Sequence, residues 1–200
     1  MSSIRKESVS VANYALKEKS PLLTTSVQHD GCELRQVRGQ AIASLAAARG
    51  DRGALARALD VIGITLAEPG TRVVSGSRSI AAVGHQQWFV SADNEPTLAT
   101  DLANAVNGSG YVTDQTGGWI EVRLTGPRSR AVLERICTLD LHPDIFTVGT
   151  CARTTMEHLN VQIALLDDAP TFALTTPSSS ARSFWTAMEH ALASACGPEL

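Results

Sequence analysis

The chain has 200 residues, of which 44% are hydrophobic and 18% are charged, and its formal net charge is −3 at pH 7. This length can bury the core of one large domain or of two small subdomains, and the composition is that of a globular rather than a disordered protein. With no basic excess and only three Trp, two Tyr and four Phe, the chain lacks the charge and the stacking surface expected of a nucleic-acid-binding protein.

The amino-terminal region is polar and irregular. Residues 1–30 are interrupted by Ser20-Pro21 and predict an N-terminal arm, which either lies along a surface or is a frayed terminus. Residues 1–10 have no apolar region of a signal peptide, and residues 41–48, the most apolar run, are too short to cross a bilayer. We therefore expect a cytoplasmic protein that makes no membrane contact.

Residues 31–200 are expected to form a single domain, with subdomains at 31–110 and 111–200. Alternating and β-branched runs predict strands at residues 32–37, 72–75, 79–83, 87–91, 111–114, 119–124, 152–166 and 171–175. Apolar stripes and capping residues predict helices at 54–62, from Asn94 to 107, from Pro127 to about 137, and at 181–195. Residues 41–48 are ambiguous, because their alanines favour a helix whereas the turn cluster that follows favours a short strand.

The order of these elements predicts the fold class. Pairs of strands alternate with single helices, and a hairpin is expected around Thr116-Gly117-Gly118. This order favours an α+β fold, in which antiparallel sheets carry helices on one face, over a doubly wound parallel sheet. It is typical of two split β-α-β, ferredoxin-like subdomains.

A predicted strand runs into Gly126-Pro127, and a predicted helix follows. A phosphate-binding turn needs several glycines whose N–H groups are free at the start of the helix, but Pro127 has no N–H group and no second glycine lies nearby. We therefore predict a structural turn, in which Gly126 lets the strand leave its sheet and Pro127 sets φ for the first helical turn. An anion bound by Arg128 and Arg130 is the alternative.

No catalytic, cofactor-binding or metal-ligating residue is assigned from the sequence. The motifs Gly-x-Gly-x-x-Gly, Gly-x-Ser-x-Gly and His-Glu-x-x-His do not occur. His85 and His158 have no evident partner for general-base catalysis, and Cys137 and Cys151 resemble small buried hydrophobic residues. The four cysteines and five histidines are scattered along the chain, so they would form a zinc site only by an accident of folding.

Three aromatic residues are candidates for a surface that meets a partner chain. Trp88, Phe89 and Trp119 are too few to build a core, whereas large aromatic side chains are typical anchors of protein interfaces. The strand face that carries Trp119, Glu121 and Arg123 is expected to be left uncovered by a single layer of helices.

Six segments have an order and spacing that point to a known family: Ser20-Pro21-Leu22, residues 54–66, 83–90, 119–133, 137–143 with Phe146, and 182–185. Together they resemble the gamma-subunit family of heterotetrameric sarcosine oxidases. The resemblance covers most of the chain after residue 20 and favours a strand at residues 41–48. Such gamma subunits are similar in turn to the folate-binding part of the glycine-cleavage T-protein and its aminomethyltransferase relatives.

The resemblance implies a non-catalytic, structural gamma subunit within an alpha-beta-gamma-delta assembly, which is a flavoprotein oxidoreductase. Such an assembly oxidatively demethylates sarcosine to glycine and reduces oxygen to hydrogen peroxide. It releases the methyl carbon as formaldehyde or, with tetrahydrofolate, as 5,10-methylenetetrahydrofolate. The resemblance places FAD, FMN, NAD and tetrahydrofolate on the alpha and beta subunits and zinc on delta, so that this chain alone is expected to bind none of them.

A free-standing, folate-binding one-carbon protein of the aminomethyltransferase type is the alternative. The tRNA-modifying relatives in that group carry a Lys-Gly-Cys-Tyr-x-Gly-Gln motif, which this sequence lacks. This departure, together with the missing catalytic motifs, favours a subunit that has no chemistry of its own.

Overall fold

The structure is a computed structural model that describes residues 19–196. Its strands are β1 Ser26–His29, β2 Cys32–Gln36, β3 Gln40–Ala47, β4 Arg72–Ser75, β5 Arg78–Gly84, β6 Gln87–Asp93, β7 Gly110–Asp114, β8 Trp119–Thr125, β9 Cys151–Met156, β10 Leu159–Asp167 and β11 Thr171–Pro177. Its α-helices are α1 Arg52–Asp60, α2 Leu98–Ala105, α3 Ser129–Leu133 and α4 Ala181–Cys196.

The strands form two antiparallel sheets, which confirms the predicted α+β class. The six-stranded sheet has the order β1-β2-β8-β11-β10-β9, and the five-stranded sheet has the order β4-β5-β6-β3-β7. All the strand pairs within both sheets are antiparallel.

Each sheet packs one face against helices. In the six-stranded sheet, alternate residues of β8, such as Val122 and Leu124, join a core with Phe184 and Met188 of α4. In the five-stranded sheet, residues of β5 and β6 pack against four leucines of α1 and α2: Leu55, Leu59, Leu98 and Leu102. A fully buried side chain of this kind contributes about 1.5–3 kcal/mol, so these two cores hold each helix layer on its own sheet.

The other faces of the two sheets meet each other. Ala81 of β5 packs with Cys151 of β9 and Ala164 of β10 in a small cluster that joins the sheets. Because these side chains are small, the sheets approach closely at this point, and larger polar side chains lie in the same layer farther along the strands. The face that was expected to remain uncovered by helices is therefore covered by the second sheet.

Of the ambiguous residues 41–48, all but Ala48 belong to strand β3, as the family resemblance favoured. β3 lies between β6 and β7 and pairs with both. Its consecutive residues Ala41, Ile42 and Ala43 are buried, as expected for a strand covered on both faces. The pairing of its backbone on both edges outweighs the weak helical preference of alanine.

The predicted hairpin around Thr116-Gly117-Gly118 is wrong. β7 pairs with β3 in the five-stranded sheet, whereas β8 pairs with β2 and β11 in the six-stranded sheet. The glycines instead serve a turn that carries the chain from one sheet to the other, and Gly117 has a φ of 79°. A glycine turn indicates a change of direction, but the partners of the flanking strands are set by contacts distant in sequence.

Two other predicted elements have different limits. The single strand at residues 152–166 is divided into β9 and β10 by Glu157 and His158, whose φ values of 47° and 65° are those of a two-residue hairpin turn. Neither residue is glycine, so the sequence carried no turn signal. Helix α2 begins after Thr97, because Asn94 adopts a φ of 55° in the preceding turn and does not cap it.

The boundaries of the sheets do not coincide with the predicted arm and subdomains. Strand β1 lies within the predicted arm of residues 1–30, and residues 1–18 lie outside the described residues. β1 and β2 belong to the six-stranded sheet with β8, although they precede the whole five-stranded sheet in the chain. Cys32 and Leu34 belong to the first predicted subdomain but are buried in the core of the six-stranded sheet. A division of the chain between residues 110 and 111 therefore does not separate the two sheets.

Candidate functional site

A buried ion-pair network connects the two sheets. Arg72 Nη1 of β4 donates a hydrogen bond of 2.9 Å to Glu121 Oε2 of β8, and Arg123 Nε donates one of 3.1 Å to Glu121 Oε1. The side chain of Glu121 is only 2% exposed, and that of Arg72 is 9% exposed. We call these three residues the Arg72–Glu121–Arg123 triad.

The triad carries an excess of one positive charge, because two guanidinium groups share a single carboxylate. Burial makes both the attraction and the loss of hydration large, so such a network is a weak source of net stability while it is intact. Its geometry nevertheless fixes the position of β4 relative to β8, because a carboxylate held by two arginines has little freedom to move.

Cavities lie along this layer between the sheets. One of about 480 Å³ is lined by Gln40, Arg72, Arg78 and Arg123 together with apolar residues, and we call it the inter-sheet cavity. A second, of about 430 Å³, is lined by Trp119 and Glu121 among others, and a small one of about 20 Å³ shares lining residues with both. Gln40 lines all three.

Two polar atoms in this layer have no hydrogen-bond partner in the described part of the chain. They are Gln40 Oε1, an acceptor, and Arg72 Nε, a donor, and both are buried. Unpaired buried polar atoms are rare because each costs about 1–3 kcal/mol. The layer between the sheets therefore contains polar groups that the described residues do not satisfy.

Sequence reasoning found part of this site and missed the rest. The alternation in β8 correctly placed Glu121 and Arg123 on the face opposite Val122. The sequence did not indicate that Arg72 would meet them, because β4 is more than forty residues away and joins them only through the packing of two sheets. The signal that the sequence did contain was a charged residue, Glu121, standing between two apolar residues of a strand, because a charge that becomes buried needs a partner.

The turn at Gly126 and Pro127 is closely packed. Gly126 has a φ of 126°, and a Cβ atom at this position would lie 2.5 Å from Gly31 O and 2.8 Å from Cys32 Cα. Its N–H donates to Pro170 O at 3.3 Å. These contacts require glycine and give the turn a packing role.

The arginines that follow the turn are engaged in the protein. Arg130 donates to the backbone carbonyls of Leu141 and Phe146, and its guanidinium lies 5.4 Å from the ring centroid of Phe172. Arg128 Nη1 is 3.4 Å from Asp30 Oδ2. The helix that they begin, α3, has only five residues, and these contacts give an anion little to bind.

The three candidate interface residues have different surroundings. Trp88 is 2% exposed in the core of the five-stranded sheet, and its Nε1 donates to Ala67 O at 2.8 Å, so it offers no surface to a partner. Phe89 and Trp119 lie on the inter-sheet faces, where their rings are 4.9 Å apart at 68°. Both are partly exposed, and their role as interface anchors stays a prediction.

In the described residues, the candidate histidines and cysteines do not form a common catalytic arrangement. His85 and His158 are exposed in turns between strands. Burial raises the pKa of the Cys137 thiol and of the Cys151 thiol, and Gln162 lies 2.9 Å from Cys151 Sγ. Thiols with a raised pKa are poor nucleophiles at neutral pH. Within residues 19–196, no group of three or more His, Cys, Asp or Glu is placed to hold a metal ion.

The fold defines a class: α+β chains in which two antiparallel sheets pack face to face. In structural comparison, the chain is similar to a chain of heterotetrameric sarcosine oxidase from Corynebacterium sp. U-96, with a TM-score of 0.76 and 21% identity over 88% of this chain and 91% of that chain. It is also similar to glycine cleavage system aminomethyltransferase T from Bartonella henselae, with a TM-score of 0.59 and 11% identity, over 80% of this chain and 46% of that one.

Curated relatives point to a particular subunit. The chain is 29% identical over 89 residues to the sarcosine oxidase subunit gamma of Corynebacterium sp. strain U-96, and 32% identical over 93 residues to that of strain P-1. These alignments span less than half of each relative, 43% and 46% respectively, and 44% of this chain. No family model matches the sequence. The predicted resemblance to sarcosine oxidase gamma subunits is confirmed.

In the described residues, none of the helices has the length and apolar character needed to span a membrane.

Proposed function

We propose that this chain is the gamma subunit of a heterotetrameric, flavin-dependent sarcosine oxidase and that it serves assembly rather than catalysis. The observation that carries the proposal is the match to a chain of that heterotetramer over about nine-tenths of both chains, at a TM-score of 0.76. The curated gamma subunits add a sequence likeness that the fold alone would not supply.

The surroundings of the candidate residues support a non-catalytic role. The histidines are exposed in turns, and the pKa of each cysteine considered is raised by burial. A nucleophile or general base needs a neighbouring group that holds its proton or lowers its pKa. The chemistry of the complex, oxidation of sarcosine to glycine with release of hydrogen peroxide and formaldehyde or methylenetetrahydrofolate, then belongs to the other chains.

The partners in this proposal are the alpha, beta and delta subunits in the cytoplasm, and they hold FAD, FMN, NAD, tetrahydrofolate and zinc.

An edge strand supports the need for a partner. β7 pairs on one side with β3, and its Tyr111 is 67% exposed. An exposed strand edge with a large aromatic side chain is a surface that folded proteins usually cover. We propose that Phe89 and Trp119, at the mouth of the inter-sheet layer, add to this contact.

The finer architecture is also a proposal: each sheet with its helices is a split β-α-β unit. The order β7-β3-β6-β5 in the five-stranded sheet supports it, because β3 and β5 flank β6 and the connection between them runs through α1 and then β4. The order β2-β8-β11-β10 in the other sheet repeats this pattern, with β2 from the beginning of the chain in the place of the fourth strand.

Co-expression tests the subunit assignment. We expect the chain, produced alone, to be colourless and self-associated or poorly soluble, because in the described residues one edge of β7 pairs with no other strand. Produced with candidate alpha, beta and delta subunits from the same genome, it should elute with them in equal amounts and with flavin absorbance. Size-exclusion chromatography with subunit quantitation makes the measurement. A stable monomer that remains separate from those subunits would contradict the assignment.

Replacement of the candidate residues tests the non-catalytic role. His85→Ala, His158→Ala, Cys137→Ala and Cys151→Ala are each expected to leave sarcosine turnover of the assembled complex unchanged, because the two histidines are exposed in turns and burial raises the pKa of the two thiols. Turnover is measured at matched subunit and flavin content, so a folding defect is separated from a chemical one. A large loss of turnover in a normally assembled complex would make that residue catalytic.

The similarity to aminomethyltransferase T favours a second candidate, a free-standing folate-binding protein. Tetrahydrofolate binding by the isolated chain, measured by calorimetry, would support it. The absence of binding together with co-elution would support the subunit.

A further inference from the structure

We propose that the inter-sheet cavity binds a small organic carboxylate, whose anionic end meets Arg72 and Arg123 and whose apolar part lies against the other wall. The proposal concerns this chain alone and is independent of its assembly with other subunits.

Charge is the first argument. In the Arg72–Glu121–Arg123 triad, one carboxylate neutralises only one of two guanidinium groups. Arg35 of β2 is the cross-strand partner of Arg123 in register, but Arg35 is exposed and does not line the cavity, so solvent screens most of its charge. The positive charge that a bound anion would neutralise is therefore that of the second guanidinium of the triad.

The other charges around the cavity do not cancel this excess. Arg78, on the same wall, is paired with Glu95 through its Nε and Nη2 atoms, and the hydrogen bond to Glu95 raises its pKa. Asp93 also lines the cavity, but its residue is exposed and its Oδ1 accepts from Gln40 Nε2 at 3.4 Å. A solvated carboxylate contributes less to the potential inside the cavity than the buried guanidinium of Arg72 does.

Unused hydrogen-bonding capacity is the second argument. Arg72 lines the cavity and donates through its Nη1 to Glu121, while its Nε, which has no partner in the described residues, is buried too deeply to reach a ligand in the cavity. Arg123 uses its Nε for Glu121, and a guanidinium has four further N–H donors on its two Nη atoms. Two arginines that present such donors to one space can hold a carboxylate by several charge-assisted hydrogen bonds.

The lining of the cavity indicates the rest of the ligand. Val74, Val148, Leu165 and Leu166 form an apolar wall, and Ser79 and Ser91 supply hydroxyl groups. Val74 is 68% exposed and Val148 is 47% exposed, so this wall reaches the surface and leaves an entrance. A volume of about 480 Å³ lies within the range of small-molecule sites. The combination fits a carboxylate attached to a compact apolar group, such as an aromatic ring.

The test uses 4-fluorobenzoate as the probe and ¹⁹F NMR line broadening as the measurement, on the full chain in a buffer free of carboxylates and phosphate. The neutral isostere 4-fluorobenzamide is the matched control ligand. We expect the acid to bind and the amide to bind at least about tenfold more weakly, as loss of a charge-assisted pair predicts. Equal binding of the two, or no binding of the acid, would overturn the proposal.

Three variants locate the site. Arg123→Gln should weaken fluorobenzoate binding by about tenfold, and it leaves the Arg72–Glu121 pair intact and electrically balanced. Arg123→Lys should retain part of the affinity, because the charge remains while the fork of donors is lost. Arg57→Gln makes the same change of charge on exposed α1, away from the cavity, and should have no effect. If Arg57→Gln weakens binding as much as Arg123→Gln does, the acid is bound by general surface charge and the proposal fails.

Discussion

Gly126→Val is expected to lower the free energy of unfolding by about 3–5 kcal/mol, from the sum of backbone strain and overpacking. The φ of 126° at this position is unfavourable for any residue with a Cβ atom, and that atom would lie 2.5 Å from Gly31 O and 2.9 Å from Cys32 Sγ. Two of the three nearest atoms belong to backbone, so a change of rotamer cannot relieve the contact. Urea unfolding monitored by circular dichroism measures the loss.

Two control variants separate the causes. Gly108 also has a positive φ, 79°, but a Cβ atom there would have nothing within 4 Å. Gly108→Val therefore reports the strain alone, about 1–3 kcal/mol, and should be milder than Gly126→Val.

Pro127 is exposed, and Pro127→Ala should cost about 1 kcal/mol or less, since proline there mainly restricts the unfolded chain. If Pro127→Ala were the more damaging of the two turn variants, the turn would have a role other than packing.

Glu121→Gln is the second change with a large expected effect, a loss of about 3–5 kcal/mol in the free energy of unfolding. The substitution preserves the size of the side chain but removes the charge that both arginines contact at 2.9 and 3.1 Å. It leaves the buried guanidinium of Arg72 without a counter-charge, and an uncompensated buried charge is the costly state of such a network.

The matched control for this variant is Glu134→Gln, on an exposed position after α3, which should change stability by less than about 0.5 kcal/mol. The double variant Arg72→Gln with Glu121→Gln provides a further check. Its loss should be smaller than the sum of the two single losses, because each single change leaves the partner unpaired. Additive losses would show that the two side chains do not interact as the structure indicates.

The amino-acid sequence by itself determined those elements whose signal is local. Helix α4 was predicted because its apolar residues recur at helical spacing, and it packs Phe184, Trp185 and Met188 into the core as that spacing requires. β4 and β11 were predicted by β-branched and alternating residues. Among the candidate functional residues, alternation also predicted that Glu121 and Arg123 lie on the face of β8 opposite the helices, because side chains of a strand alternate between its faces.

Only the tertiary structure decided which segments meet. The glycines at residues 117 and 118 indicate a turn equally well whether the next strand pairs with the previous one or crosses to another sheet, and β8 crosses. The strand character of β3 depends on pairing with β6 and β7, whose paired residues lie about 45 and 65 positions away in the sequence. Likewise, Glu121 would be a solvated surface carboxylate on an isolated sheet. It is buried and paired because a second sheet, carrying Arg72, packs over it, and the energy of that contact depends on burial rather than on any local pattern of residues.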